Sequence, residues 1–151
     1  MKHLVLATAL ALLSGPVLAE GHSEMELTGN AENGDAIFNR QCVSCHVVVD
    51  DAGETLAGRN AQVGPNLYKV ALRTAGTYPD FRYGDGLVAA GEAGVTWTEE
   101  NFVGYVQDPT GWLREELDDR RARGLMSFQL RSEEDAHDVY AYLASFGVTE
   151  E

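Results

Sequence analysis

The sequence has two cysteines in 151 residues, Cys42 and Cys45, and no third. No network of disulfides can therefore staple the fold. A zinc site would need two further ligands at short spacing, and no other cysteine supplies one. Lysine is almost absent, with only Lys2 and Lys69. Eleven basic residues face 24 acidic ones, a formal net charge of −13. Such a balance argues against nucleic acid or an anionic membrane surface as a partner. Beyond the first nineteen residues no run is long and apolar enough to anchor the chain in a bilayer. No stretch alternates convincingly at period two, no repeat is visible, and no linker divides the chain.

The N-terminus reads as a secretory leader over 1–19. Lys2 gives a positive start, Leu4 to Leu13 an apolar stretch too short to span a membrane, and Val17-Leu18-Ala19 a small-residue cleavage site. Residues 20–32 are polar and acidic and are expected to form a loose arm. One domain then fits 33–147, with a short tail at 148–151. Export places the protein in a bacterial periplasm.

The most informative run is Cys42-Val43-Ser44-Cys45-His46. Two thiols at this spacing, followed at once by a histidine, form the attachment pattern of a c-type haem. Each thiol can add to one porphyrin vinyl group, and the histidine then lies under the iron as its proximal ligand. A thioredoxin-like redox pair would instead want a βαβ setting, and none is readable.

Four segments read as helical. Residues 33–42 place Gly34, Ile37, Phe38 and Gln41 on one face and end at the cysteine box. A short helix is expected over 67–73. Another spans 98–107, with Thr96 or Thr98 as N-cap and a stop before Pro109. In the last, Ser132 and Asp135 resemble a capping box, Ala136, Val139, Tyr140 and Leu143 follow helical spacing, and Gly147 supplies the stop. The expected class is all-α. Short helices joined by long loops leave a thin core, which a buried haem would complete.

An electron-transfer haem needs a sixth ligand. After the leader the candidates are His22, Met25, Met126 and His137. His22 and Met25 lie in the arm, and His137 reads as a solvated helix histidine. Met126 sits in a loop-like Gly124-Leu125-Met126-Ser127-Phe128, where core filling is a weaker explanation. A thioether favours ferrous iron and raises the potential.

Several motifs occur in order: Gly34-Asp35-Ala36-Ile37-Phe38, the Cys42–His46 box, Gly64-Pro65-Asn66-Leu67, Thr96-Trp97, Asp108-Pro109, Met126-Ser127-Phe128 and Val139-Tyr140-Ala141-Tyr142-Leu143. From about Gly34 to Phe146 the chain resembles class I c-type cytochromes, most closely the bacterial cytochrome c2 group. The long 47–63 loop and the extended stretch before Met126 match the larger members.

The resemblance implies a single haem c held through Cys42 and Cys45, with His46 and Met126 as iron ligands. It implies that Gly34 and Phe38 cross the last helix at Val139 and Tyr142. Pro65 would accept a hydrogen bond from the proximal histidine. Arg73, Tyr83 and Trp97 would hold the inner propionate, and Tyr105 would tune the methionine sulfur. It further implies a soluble monomeric one-electron carrier rather than an enzyme. Its donor would be a quinol-oxidising bc complex, and its acceptor a photosynthetic reaction centre, a terminal oxidase or a cytochrome peroxidase. The alternative is an open-site haem sensor or peroxide-reactive haem protein, which would need Met126 to be filler. One departure stands out. Members often carry lysines around the haem edge, one of them just before the methionine, where this chain has Leu125. Arg114, Arg120, Arg121, Arg123 and Arg131 cluster around Met126 instead, among Glu115, Glu116, Asp118 and Asp119. They form either a solvated mixed-charge face or a docking face.

Overall fold

A computed structural model describes residues 26–149. The leader expected over 1–19 lies outside them, as do His22 and Met25. Five helices account for most of the regular structure: α1 (Ala31–Gln41), α2 (Asp85–Glu92), α3 (Glu99–Gln107), α4 (Pro109–Glu116) and α5 (Glu133–Ala144). A two-stranded antiparallel hairpin, β1 (Val48–Val49) with β2 (Thr55–Ala57), follows the cysteine box. The mainly helical class is as expected.

The central packing is α1 across α5, with α3 against α5 beside it. Gly34 makes the crossing possible. A Cβ there would overlap the Asp138 carbonyl and lie 2.7 Å from Tyr142 Cβ. Only a residue without a side chain permits that backbone approach. Phe38 is fully buried and meets Tyr142 at a ring separation of 5.6 Å. Val139 and Leu143 are buried on the facing stripe, and the Tyr140 hydroxyl donates to the Trp97 carbonyl at 2.8 Å.

The caps show why the elements start where they do. Thr98 caps α3 by accepting from Asn101 N–H, and Ser132 caps α5 by accepting from Asp135 N–H. Gly147 ends the α5 region at φ 100°, a left-handed conformation that glycine adopts freely.

Four expectations differ from the structure. Residues 67–73 are not a helix, because Lys69 and Leu72 take φ 52° and 63°. The segment is held from outside instead, with Leu72 N–H donating to Trp97 O at 3.0 Å and Trp97 N–H to Arg73 O at 2.9 Å. Helices α2 and α4 and the hairpin were not expected. Helix α4 begins at Pro109 itself, with Asp108 accepting from Gly111 N–H. Proline at the first position sacrifices no helical hydrogen bond.

The arm expected to be loose is docked from Thr28 on. Asn30 N–H donates to the buried Asp138 carboxylate at 2.6 Å, and Asn30 itself caps α1. Thr28 Oγ1 donates to Glu99 Oε1 at 2.7 Å, and His137 Nδ1 lies 2.8 Å from the same oxygen. His137 is therefore not a solvated histidine but part of a clamp joining the arm, α3 and α5. At the other end Val148 bridges to Ala71, and Thr149 N–H donates to Ala71 O at 2.9 Å.

Two predictions follow from this packing. Gly34→Ala should cost about 3 kcal/mol or more, since overpacking against backbone cannot be relieved by a rotamer change. The urea midpoint should fall while circular dichroism at low denaturant stays helical. The second concerns Glu99. Burial alone would raise its pKa, but the hydrogen bonds from Thr28 and His137 outweigh that and leave it below its ordinary 4.5. A carboxylate depressed in the fold stabilises above its unfolded pKa, and that stability is lost as pH falls through the folded value. Glu99→Gln should therefore cost about 1–2 kcal/mol at pH 7. The cost should shrink once pH drops below the ordinary glutamate range. An equal loss at all pH values would show that the charge is irrelevant.

Candidate functional site: a haem-binding crevice

Helix α1 delivers the cysteine box. Cys42 is its C-cap, and its N–H donates to Phe38 O at 2.9 Å. The chain then turns tightly, with Cys45 and His46 N–H both donating to Cys42 O, at 3.0 and 2.9 Å. Neither cysteine is in a disulfide, and both are half-buried. Before haem attachment, burial, with the Cys45 thiol adding to it, pushes the Cys42 pKa up to about 11.

His46 is fixed from the opposite side by the Gly64–Leu67 loop. Its Nδ1–H donates to Pro65 O at 2.9 Å. Burial lowers its pKa, partly offset by that carbonyl. The ring is thus held neutral, as one tautomer, with Nε2 left as a free acceptor. Gly64 lies flat against it. A Cβ at this position would fall inside the imidazole. The loop is tied to the box by Gly64 N–H to Cys45 O at 2.8 Å and Leu67 N–H to Val47 O at 2.9 Å. Asn66, in the motif but given no role from sequence, is the fastener. Its side chain accepts from Val49 and Tyr68 N–H and donates to Val49 O and Tyr78 Oη.

Arg73, Tyr83, Trp97 and Tyr105 share one neighbourhood. Arg73 donates to Tyr68 O at 3.0 Å and Asn66 O at 3.2 Å and lies over the Tyr78 ring. Burial lowers its pKa, countered by the nearby Tyr83 and Tyr78 hydroxyls. No carboxylate of the described residues lies within 4.0 Å of it. Tyr83 is raised by burial, with Arg73 acting against that, and it adds to the burial that raises Tyr105 further still. Tyr105 packs on Trp97 at 5.1 Å.

Trp97 and Tyr105 are 8% and 5% exposed. Among the described residues no buried side-chain nitrogen or oxygen lacks a partner. Their N–H and O–H make no hydrogen bond within the described residues, so both tips border accessible space. Trp112 completes the aromatic group, stacked on Trp97 at 5.9 Å and edge-on to Tyr105 at 5.6 Å. Sequence reasoning missed it. The nearest signal was Gly104, where a Cβ would come 2.6 Å from the Trp112 ring.

Met126 lies on an irregular span after α4, half-buried and packed against the same core. The donor set is therefore two thiols, a neutral imidazole, a thioether and a cation lacking a carboxylate. That set suits a porphyrin that bonds through its vinyls, binds metal through nitrogen and sulfur, and carries carboxylates of its own.

Residues 31–147 match the cytochrome c family. The chain belongs to that family. It carries one haem c, covalently bound through Cys42 and Cys45, and falls in the electron-transport class. It is 60% identical to cytochrome c2 of Rhodovulum adriaticum over 127 residues, covering 84% of this chain and all of that one. Identity to cytochrome c2 of Cereibacter sphaeroides is 50%, over 95% of this chain and 94% of the relative. A crystal structure of cytochrome c2 from Rhodobacter sphaeroides superposes with TM-score 0.77 at 53% identity, covering 81% and 99% of the two chains. Among the described residues no helix is long and apolar enough to cross a membrane.

Proposed function

We propose that this cytochrome is a periplasmic one-electron shuttle whose haem iron is held by His46 and Met126. The hydrogen bond from His46 Nδ1–H to Pro65 O carries the reading, because it leaves Nε2 free to bind metal. When bound, the haem supplies the one-electron couple. The protein's own residues set its environment. Arg73, with Tyr83 and Trp97, holds the inner propionate in a half-buried site where charge-assisted bonds are strong. Tyr105 places its hydroxyl near the Met126 sulfur. A filled sixth position leaves no room for substrate, so the protein is a carrier and not an enzyme. The chain is exported, cut after Ala19 and monomeric. It takes electrons from a quinol-oxidising bc complex and passes them to a reaction centre, terminal oxidase or peroxidase.

The ligand assignment is tested on the ferric protein. Wild type should show the weak near-infrared sulfur-to-iron band. Met126→Leu should lose it, drop in potential and bind small exogenous ligands. A mutant spectrum equal to wild type would falsify the assignment and favour the open-site reading.

The acceptor side is expected to involve Arg120, Arg121 and Arg123, all exposed beside the Met126 span. Nearby charges dominate at contact, while the acidic remainder is screened beyond about 8–10 Å at physiological salt. Charge reversal to Glu at any of the three should slow electron transfer to the native acceptor, most at low salt. Reversal of Glu133 or Glu134, at the start of α5, should matter much less. Equal effects at both places would remove the arginines from the docking face.

A further inference from the structure

Met126 sits in a sparsely tethered stretch packed against the core. Gly124 N–H donates to Thr110 Oγ1 at 3.2 Å, and Leu130 N–H donates to Val106 O at 2.8 Å. Between them, residues 125–129 make no backbone hydrogen bond among the described residues. The position of Met126 therefore depends on side-chain contacts along this span.

Two glycines at the start of α2 press on it. A Cβ at Gly84 would lie 2.7 Å from Leu125 Cγ and 3.1 Å from its Cδ1. A Cβ at Gly86 would lie 2.8 Å from the Arg123 carbonyl oxygen and 3.1 Å from Leu113 Cδ1. Neither glycine is demanded by its own backbone. Gly84 has φ −78° and ψ 154°, open to any residue, and Gly86 is within the helix. What excludes a side chain is the neighbour, the Arg123 backbone at Gly86 and the Leu125 side chain at Gly84, and both residues lie just before Met126. The helix behind them is itself wedged. A Cβ at Gly91 would overlap the Ala75 carbonyl, and one at Gly76 would come 2.7 Å from Leu87 O. Added bulk at the seam thus moves the 123–126 span more readily than α2.

We propose that the first turn of α2, through Gly84 and Gly86, is a brace that sets where Met126 lies. Leu125 is the residue it bears on. The proposal rests on Met126 being the sixth ligand. Bulk at either glycine would displace the thioether for part of the time. An exogenous ligand would then bind in proportion to the displaced fraction.

The test uses the purified ferric haem protein, the near-infrared band and a titration with imidazole. Gly84→Val and Gly86→Ala should weaken the band and raise apparent imidazole affinity about tenfold or more. Gly84→Val/Leu125→Ala should move back toward wild type, because the vacated leucine volume accepts the valine. Met126→Leu is measured alongside. If it keeps the band, the ligand reading fails. If it loses the band while both glycine variants behave as wild type, the brace alone is wrong. Should a glycine variant fail to accumulate, Leu125→Ala decides. It removes an exposed side chain without a clash and should raise imidazole affinity, and an affinity equal to wild type would overturn the brace.

Discussion

The close passage of α1 over α5 at Gly34 sets the position of the helix that delivers the haem-attachment box. The backbones approach until a single methyl group would collide with the Asp138 carbonyl. Phe38 is pinned in the same contact and is fully buried. Cys42 follows one helical turn later, and its N–H is bonded to Phe38 O. The thiols and His46 are therefore delivered by a helix whose place is fixed by the crossing, and the Gly64–Leu67 loop then holds the His46 ring. The arm reinforces this from behind, through Asn30 on Asp138 and Thr28 on Glu99.

The cysteine box was far more legible in the sequence than the framework around it. The cysteine box is local chemistry, since five adjacent residues contain the whole requirement. Helices α1, α3 and α5 were legible because their apolar spacing, and for α3 and α5 their caps, lie within one window, whereas the Asn30 cap of α1 was not read. Helices α2 and α4 were not. Gly84, the N-cap of α2, gives no side-chain cap, and α2 carries Gly86 and Gly91 within it, which reads as loop. Those glycines serve close contacts with Arg123 O and Ala75 O, and such contacts leave no trace at helical spacing. Residues 67–73 failed in the opposite sense. Their composition suits a helix, but pairing with Trp97 and Val148 outweighs that preference. His137 read as solvated because its partners, Thr28 and Glu99, are distant in sequence.

Charge placement connects the acidic composition to the redox site. Of the described arginines only Arg121 has a carboxylate within 4.0 Å, but all the others except Arg73 are exposed to solvent. Arg73 is half-buried, where an unpaired charge costs most. Carbonyls of Asn66 and Tyr68 and the face of Tyr78 offset part of that cost. Among the described residues the only buried acid is Asp138, and it is engaged by Asn30. No described carboxylate can therefore neutralise Arg73 without rearrangement.

A haem brings its own carboxylates, and that resolves the imbalance. A propionate placed at Arg73 would turn an uncompensated charge into a pair, while Tyr83 and Trp97 would supply neutral donors that add no further charge. Burying a lone propionate would be costly, and so is leaving Arg73 alone, but together the two costs largely cancel. Folding around the haem and retaining it would then be one process, with Arg73 favouring both. The residues closest to Arg73 are accordingly neutral, Tyr78 under its guanidinium and Tyr83 beside it. Each carboxylate added there would compete with the haem's own for Arg73.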